Sequence, residues 1–421
     1  MDSLKVDSKR ILDNLLKLAE FTDSQKPYTR RAFSPIYYEA RKWLKDLMES
    51  VGLETAMDAA GNLIGYLKCS NKGSKYLIIG SHIDTVEDAG RFDGMLGVTS
   101  GIEVCRVLHD SNIELPFDIK VVDFLCEEPS DFGVSCIGSN GLVGNLTGSH
   151  LARLNSDGKT LREAISEAGG VPDSLNAPLI SPNEVVGYLE LHIEQGPVLE
   201  KEQVPIGIVT GIVGISRWIL VINGESGHAG TVPMSLRKDA LFGAAEVISR
   251  VEKLAKDLSK MVHFVATIGK AEVLPGMPNV IPGEVRLVLE ARVLEEGDFH
   301  KFEADLKDIV SEVCIARGLG YTIEQLSHTL PVKLDARLQE VIAQSAKGLG
   351  LRYLFMPSGA GHDAAIMAQI VPAGMIFIPC RNGVSHAPQE WSDEEFVGNG
   401  AQVLLNSCII LARQYDTVSG S

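Results

Sequence analysis

The sequence predicts an α/β fold in which one sheet-based domain is interrupted by a smaller ferredoxin-like insert. From Lys75 to about Gly211, short apolar strands alternate with helical stretches such as VTSGIEVCRVLHDSN, the pattern of a parallel or mixed sheet flanked by helices. The same alternation resumes after about His328. Between the two parts the order is strand–helix–strand–strand–helix–strand, a βαββαβ unit of the split βαβ type. A chain of 421 residues is too long for one small core and favours two or three domains. The expected division is 1–211 and 329–421 for the two parts of the main domain, and 212–328 for the insert.

Each element has its own signal. The N-terminal segment MDSLKVDSKRILDNLLKLAEF places Ile11, Leu15, Leu18 and Phe21 at helical spacing. It lacks the apolar middle and small-residue cleavage site of a signal peptide, so a cytoplasmic protein is expected. Strands KYLIIG, IKVVDFL and GYLELHIEQG follow. The insert reads as strand SRWILVING, helix MSLRKDALFGAAEVISRVEKLAKDL, strands MVHFVATIGKAEV and EVRLVLEARV, helix DFHKFEADLKDIVSEVCIA and strand YTIEQL. In EVRLVLEARV, Val285, Leu287, Leu289 and Ala291 alternate with Arg286, Val288, Glu290 and Arg292. One face therefore packs on helices and the other turns Arg292 outward. The last part holds helix DARLQEVIAQSAKGLG, loop MPSGAGHD, helix AAIMAQ, strand MIFIPC and closing helix EFVGNGAQVLLNSCIILARQY, and only the tail TVSGS reads as disordered.

Composition excludes several classes. No apolar run approaches the ~20 residues that span a bilayer, so no membrane partner is expected. A net charge of −16, without a basic patch interleaved with aromatics, argues against nucleic acid. The seven cysteines (69, 105, 126, 136, 314, 380 and 408) are dispersed in apolar contexts and read as buried free thiols. No pair has metal-site spacing.

Five residues carry the chemistry. His82, Asp93, Glu128, His192 and His386 each stand where a predicted strand runs out into a turn. A lone histidine is ordinarily a surface or satisfied core residue, and His109, His150, His263, His300 and His328 are read that way. Asp93 alone would pass for a turn aspartate, and His192 for part of a half-exposed strand. Together the five read as ligands for two divalent metal ions, zinc first, with Mn²⁺, Co²⁺ and Ni²⁺ as further candidates. Two ions ~3.5–4 Å apart can share a bridging carboxylate and a water that becomes a nucleophile near neutral pH. Glu127 is then the spare carboxylate that accepts the proton of this water. Two adjacent carboxylates ending an apolar strand repel unless something positive stands near. Asp84, two positions beyond His82, is suited to orient its imidazole.

The motifs GSHIDTVEDAGRFDGMLGV, CEEPSDFG, IGSNGLVG, ELHIEQGPVLE, GHAGTVPM, RKDA, MPNVIPGEVRLVLEAR, SGAGHDA and GVSHAPQE resemble the hydantoinase/carbamoylase branch of the dinuclear-zinc aminoacylase/carboxypeptidase family. That branch includes N-carbamoyl-L-amino-acid hydrolases, allantoate amidohydrolases, ureidoglycolate amidohydrolases and β-ureidopropionases. The resemblance runs in order along nearly the whole chain. It implies a metallopeptidase-like catalytic domain and an inserted dimerisation (lid) domain. It also implies a bridging Asp93, Glu127 as general base, and His228, Asn279 and Arg292 facing substrate across a homodimer. Gln195 and the Gly359-Ala360-Gly361 loop would touch the substrate too. Independent chemistry suits these roles. His228 could donate to an oxyanion, and a planar arginine grips a carboxylate in two bonds, which favours Arg292, with Arg217 as second candidate. Backbone N–H groups of SGAGHD suit another anionic group. Pro129, Ser130 and Asp131 replace the glycine and basic residue common after the Glu pair, and Asn140 replaces an arginine.

The expected protein is a cytoplasmic, homodimeric metalloamidohydrolase that cleaves the carbamoyl or ureido C–N bond of a small carboxylate. An N-carbamoyl-L-amino acid is the first substrate class. Allantoate or ureidoglycolate hydrolysis is the alternative, and N-acyl amino-acid hydrolysis the third. A rival of another class is a dimeric metal-binding interaction module without catalysis, which the presence of Glu127 beside the ligand set disfavours.

Overall fold

The computed structural model describes residues 4–69 and 75–419. Two compact units emerge: Met1–Thr210 with Leu334–Ser421, and Gly211–Lys333. In chain order the strands are β1 (Glu54–Met57), β2 (Leu63–Leu67), β3 (Tyr76–His82), β4 (Asp118–Phe124), β5 (Val185–Ile193) and β6 (Ile206–Ile212). The second unit carries β7 (Gly214–Asn223), β8 (Gly227–His228), β9 (Phe264–Leu274), β10 (Val280–Ile281), β11 (Glu284–Val293), β12 (Gly320–Thr329) and β13 (Val332–Lys333). Strands β14 (Tyr353–Ser358) and β15 (Ala373–Ile378) complete the set.

The first unit is a mixed α/β structure, as its alternating pattern predicts. Its sheet runs β1-β2-β4-β3-β5-β15-β6, with β14 also paired to β6. The four central strands β4, β3, β5 and β15 are mutually parallel. Strands β3 and β5 are buried along their whole length, which is why they read as near-continuous apolar runs rather than alternating ones. Parallel strands bring their C-terminal ends to one edge of the sheet, the place where ligands bind in open α/β sheets. His82 ends β3, Leu125–Glu128 follow β4, His192 stands near the end of β5, and the chain after β15 leads to His386.

The closing helix Glu394–Ser419 is long and apolar enough, by length and composition, to cross a membrane, although no such run was expected. Its Val397, Ala401, Leu404, Leu405 and Cys408 lie in the main core, and packing there accounts for its apolarity. It also takes in Thr417–Ser419, correcting the expectation of a disordered TVSGS tail; Gly420 and Ser421 lie outside the described residues.

The second unit holds a four-stranded antiparallel sheet, β12-β7-β11-β9, with helices Ala240–Leu258 and Glu296–Arg317 sharing its core. The first of these helices starts later than its sequence pattern suggests. Asp239 caps it, accepting the N–H groups of Leu241 and Phe242, so Met234–Leu236 is left as a separate 3₁₀ turn. Strand β11 alternates as expected, burying Val285, Leu287, Leu289, Ala291 and Val293. All seven cysteines are free thiols, five of them buried.

Candidate metal centre

Asp93 is the hub of the strand-end cluster. Its Oδ1 stands 3.0 Å from His192 Nε2 and 3.7 Å from His82 Nε2. Its Oδ2 is 2.9 Å from His386 Nε2, which in turn lies 3.4 Å from Glu128 Oε1. Asp93 belongs to two compact donor groups, His82–Asp93–His192 and Asp93–Glu128–His386, and a third joins His192 to Glu190 and His362. The structure thus gathers all five sequence-predicted ligands. Glu127 is outside all three, with Oε2 3.6 Å from His82 Nε2.

The surroundings of the imidazoles fit a divalent cation. His82 Nδ1 lies 3.0 Å from the carbonyl of Asp84, and His192 Nδ1 2.8 Å from its neighbour's carbonyl at Ile193. Each Nδ1 is thereby assigned a proton, and Nε2, the atom turned toward Asp93, is the one an ion would take. The Gly94 N–H, 3.0 Å from His192 Nε2, treats that atom as an acceptor as well. A mixed nitrogen and oxygen donor set of this kind suits a borderline ion such as zinc. The carboxylate of Asp84 also faces His82, with Oδ1 3.6 Å from Nδ1, and it has a second task. It accepts the backbone N–H groups of Glu127 and Glu128, each at 3.1 Å, and so holds the turn that presents both side chains. His82 Nδ1 thus meets both the backbone oxygen of Asp84 and, at longer range, its carboxylate.

Charge crowding marks the same spot. Burial would lower the His82 imidazole, but the facing carboxylates of Glu127, Asp84 and Asp93 push it well above its ordinary value. Against the pull of burial, His192 and His386 hold the Asp93 carboxyl well below the usual range. Burial, helped by the nearby charge of Asp93, raises Glu128 to about 7. Burial, with Glu128 beside it, raises Glu127 well above a normal glutamate. His386, hydrogen-bonded to Asp93, rises to about 9. Perturbed carboxylates and histidines concentrated at one sheet edge are what a functional centre produces.

The other predicted residues fall into three places. Gln195, at φ 57, donates through Nε2 to Asp93 Oδ2 at 2.8 Å, while its buried Oε1 has no partner. In the Gly359-Ala360-Gly361 loop, the Ala360 N–H goes to Ser358 Oγ, and the Ala364 N–H beyond it to Glu190. One of the amides offered to an anion is therefore already engaged, and so is that of the next residue beyond them. In the second unit, His228 and Val280 are cross-strand partners, and the Ala229 N–H donates to the carbonyl of Asn279. His228 and Asn279 thus share one ribbon. The Gly230 N–H donates to His228 Nδ1 at 3.0 Å, which assigns the ring proton to Nε2. Arg217 and Glu290 are opposite each other on β7 and β11, and Glu290 accepts from both Arg217 and Arg292, at 2.6 and 2.8 Å.

Several residues around the centre escaped the sequence reading. His362 is buried, with its ring centre 4.6 Å from that of His192 and its Nε2 2.9 Å from Ser358 Oγ. Burial, and the neighbouring His192, hold it well below an ordinary imidazole. Glu190 is fully buried and hydrogen-bonded to Ser81 and Tyr188. Asp363 is buried against Ser139. SGAGHDA was read for its glycines and ELHIEQG for His192 and Gln195; polar residues inside apolar motifs were the available signal. Of the unusual residues, Asp131 pairs with Arg31 at 2.8 Å, and Asn140 binds the carbonyl of Ser135 and the side chain of Asn145.

Known proteins share this architecture and sequence. Residues 78–408 match the model of Peptidase family M20/M25/M40. An N-carbamoyl-L-amino-acid amidohydrolase of Pseudomonas sp. (strain NS671) is 38% identical over 412 residues, covering 97% of this chain and 99% of its own. A ureidoglycolate hydrolase of Oryza sativa subsp. japonica is 34% identical over 405 residues, covering 95% and 84%. The crystal structure of an amidase of the hydantoinase/carbamoylase family from Burkholderia multivorans superposes with a TM-score of 0.90 at 32% identity, covering 97% of this chain and 99% of that one. With a family match over most of its length and relatives aligned end to end, the chain belongs to peptidase family M20/M25/M40, beside the hydantoinase/carbamoylase amidases.

Proposed function

We propose that this chain is a metal-dependent amidohydrolase that cleaves the carbamoyl C–N bond of a small carboxylate, with N-carbamoyl-L-amino acids as its first substrate class. The observation that carries this reading is the membership of Asp93 in two donor groups at once, with Glu127 beside them and in neither. His82, Asp93 and His192 would hold one ion and Asp93, Glu128 and His386 the other, zinc in the first instance. Two such ions, when bound, polarise a carbonyl and lower the pKa of a water to near neutrality.

The chain's own groups do the rest. Glu127, 3.6 Å from His82 Nε2 and outside both donor groups, accepts the proton of the attacking water and returns it to the leaving nitrogen. His228 offers its Nε2–H to the developing oxyanion. Arg292 grips the substrate carboxylate, with Arg217 beside it and Asn279 orienting the chain between. The unpartnered Oε1 of Gln195 accepts an N–H of the ureido group. The backbone of Gly359, Ala360 and Gly361 borders the site. Hydrolysis then yields an amino acid, CO2 and ammonia.

The second unit serves as a ferredoxin-like dimerisation lid. Its helix Ala240–Leu258 exposes Leu241, Phe242 and Ile248, and strand β9, at the end of the sheet order, exposes Val265. An apolar face beside an open sheet edge is what a second copy would cover.

Ureide hydrolysis is the second reading, supported by the 34% identity to a protein named ureidoglycolate hydrolase. A panel of N-carbamoyl-L-amino acids, allantoate, ureidoglycolate and N-acetyl amino acids, assayed for ammonia and for free amine, separates the readings. The proposal expects the N-carbamoyl compounds to have the highest kcat/KM. No turnover of any of them by the metal-loaded protein would refute it.

A further inference from the structure

The motif GVSHAPQE ends in a glutamate to which the proposed chemistry assigns nothing. Glu390 is fully buried. Its Oε1 accepts three successive backbone N–H groups, those of Arg91 at 2.8 Å, Phe92 at 2.7 Å and Asp93 at 3.2 Å. Its Oε2 accepts the hydroxyl of Ser385 at 2.7 Å, and Ser385 Oγ also lies 3.3 Å from Asp93 Oδ2. One carboxylate thereby ties the turn that carries Asp93 to the loop that carries His386.

The construction is specific to an anion. Three amides aimed at one oxygen form a polarised concavity, and hydrogen bonds to a charged acceptor are the strong kind. The turn closes on the carboxylate so tightly that a Cβ on Gly90 would overlap it. Arg91 fastens the same two segments, donating to the carbonyls of Pro388 and Glu390 at 3.1 Å each. Its guanidinium also lies 4.9 Å from the centre of the Trp391 ring. The anchoring is needed, because His386 has φ 51, a left-handed backbone that persists in a non-glycine residue only when its surroundings hold it.

We propose that Glu390 is a positioning residue for the metal ion held by Asp93, Glu128 and His386. The inference rests on the metal-centre reading above. His82 and His192 lie on the sheet strands β3 and β5 and are oriented through their own Nδ1 contacts. Asp93 and His386 lie on loops, and Glu390 sets the distance between them. Loosening it should therefore cost the Asp93–Glu128–His386 ion first and the His82–Asp93–His192 ion less.

The test is zinc titration of the full chain, read as stoichiometry and affinity, with thermal melting alongside. The wild-type chain should take two zinc ions. Glu390→Ala should keep one tight site and weaken the other by roughly 10–100-fold, the usual cost of losing a group that orients a ligand. Glu390→Gln, which can still face the amides with one oxygen, should fall between. Two zinc ions bound by Glu390→Ala at wild-type affinity would overturn the proposal, even if the melting point dropped, because that result describes a merely structural residue. Should Glu390→Ala not fold, Ser385→Ala removes the Oε2 contact together with the hydroxyl's contact to Asp93 Oδ2 and leaves the three amide contacts, and an unweakened second zinc in that variant overturns the proposal equally. A wild-type chain that takes fewer than two zinc ions would instead overturn the metal-centre reading.

Discussion

Gly94 leaves the His82 imidazole no room to give way: a Cβ at position 94 would land on the ring at Nε2. Gly94 also has φ +72, which L side chains rarely adopt, and its N–H donates to His192. Gly94→Ala should therefore displace one ligand and disturb a second. The expected outcome is a folded protein, by circular dichroism, whose metal affinity and activity fall roughly 10–100-fold or more. Wild-type zinc affinity in this variant would mean that the His82 ring is not held where a ligand must be.

Metal removal is the broadest test. With donors supplied by His82, Asp93, Glu128, His192 and His386, a chelator should abolish hydrolysis, and Zn²⁺, Mn²⁺, Co²⁺ or Ni²⁺ should restore it. Full activity in protein shown by elemental analysis to be metal-free would sink the mechanism.

Glu127 and Glu128 are adjacent in sequence but face different partners: Glu128 faces His386, and Glu127 faces His82 from outside both donor groups. Glu127→Gln should keep the fold and both ions yet lose roughly 10²–10⁴ in kcat, the usual worth of a general base. Loss of an ion instead would exchange the roles of the two glutamates.

Arg292 is held in place by Glu290, which also holds Arg217. If its planar fork grips the substrate carboxylate, Arg292→Lys should raise KM and also lower kcat, because an ammonium cannot make the paired in-plane bonds that orient the scissile group. A change confined to thermal stability would remove Arg292 from the site.

Subunit sharing can be tested by mixing. Glu127→Gln and His228→Ala protomers, each inactive alone, should regain up to about a quarter of wild-type activity if a two-fold dimer builds each site from both chains. No recovery after verified subunit exchange would place both residues of a site on one chain.

By itself the sequence determined the α/β character of the chain and the residue types available at the strand ends. Apolar runs such as YLIIG announce buried strands, and the polar residues at the strand ends, His82 and His192 among them, stand out as a set rather than singly. These are local signals, carried by periodicity and side-chain chemistry over a few residues. What only the tertiary structure decided is which atoms meet. Asp84 follows His82 by two residues and meets its ring, yet its carboxylate also takes the amides of Glu127 and Glu128, more than forty positions away. His362 reaches His192 across the fold, and Glu390 meets Phe92 over 298 positions of sequence. Arg217 and Glu290 become partners only through the register of β7 and β11. Parallel strands joined by long crossovers bring distant segments to one sheet edge. The direction of a carboxylate or an imidazole is set there, by backbone groups that no short window of sequence contains.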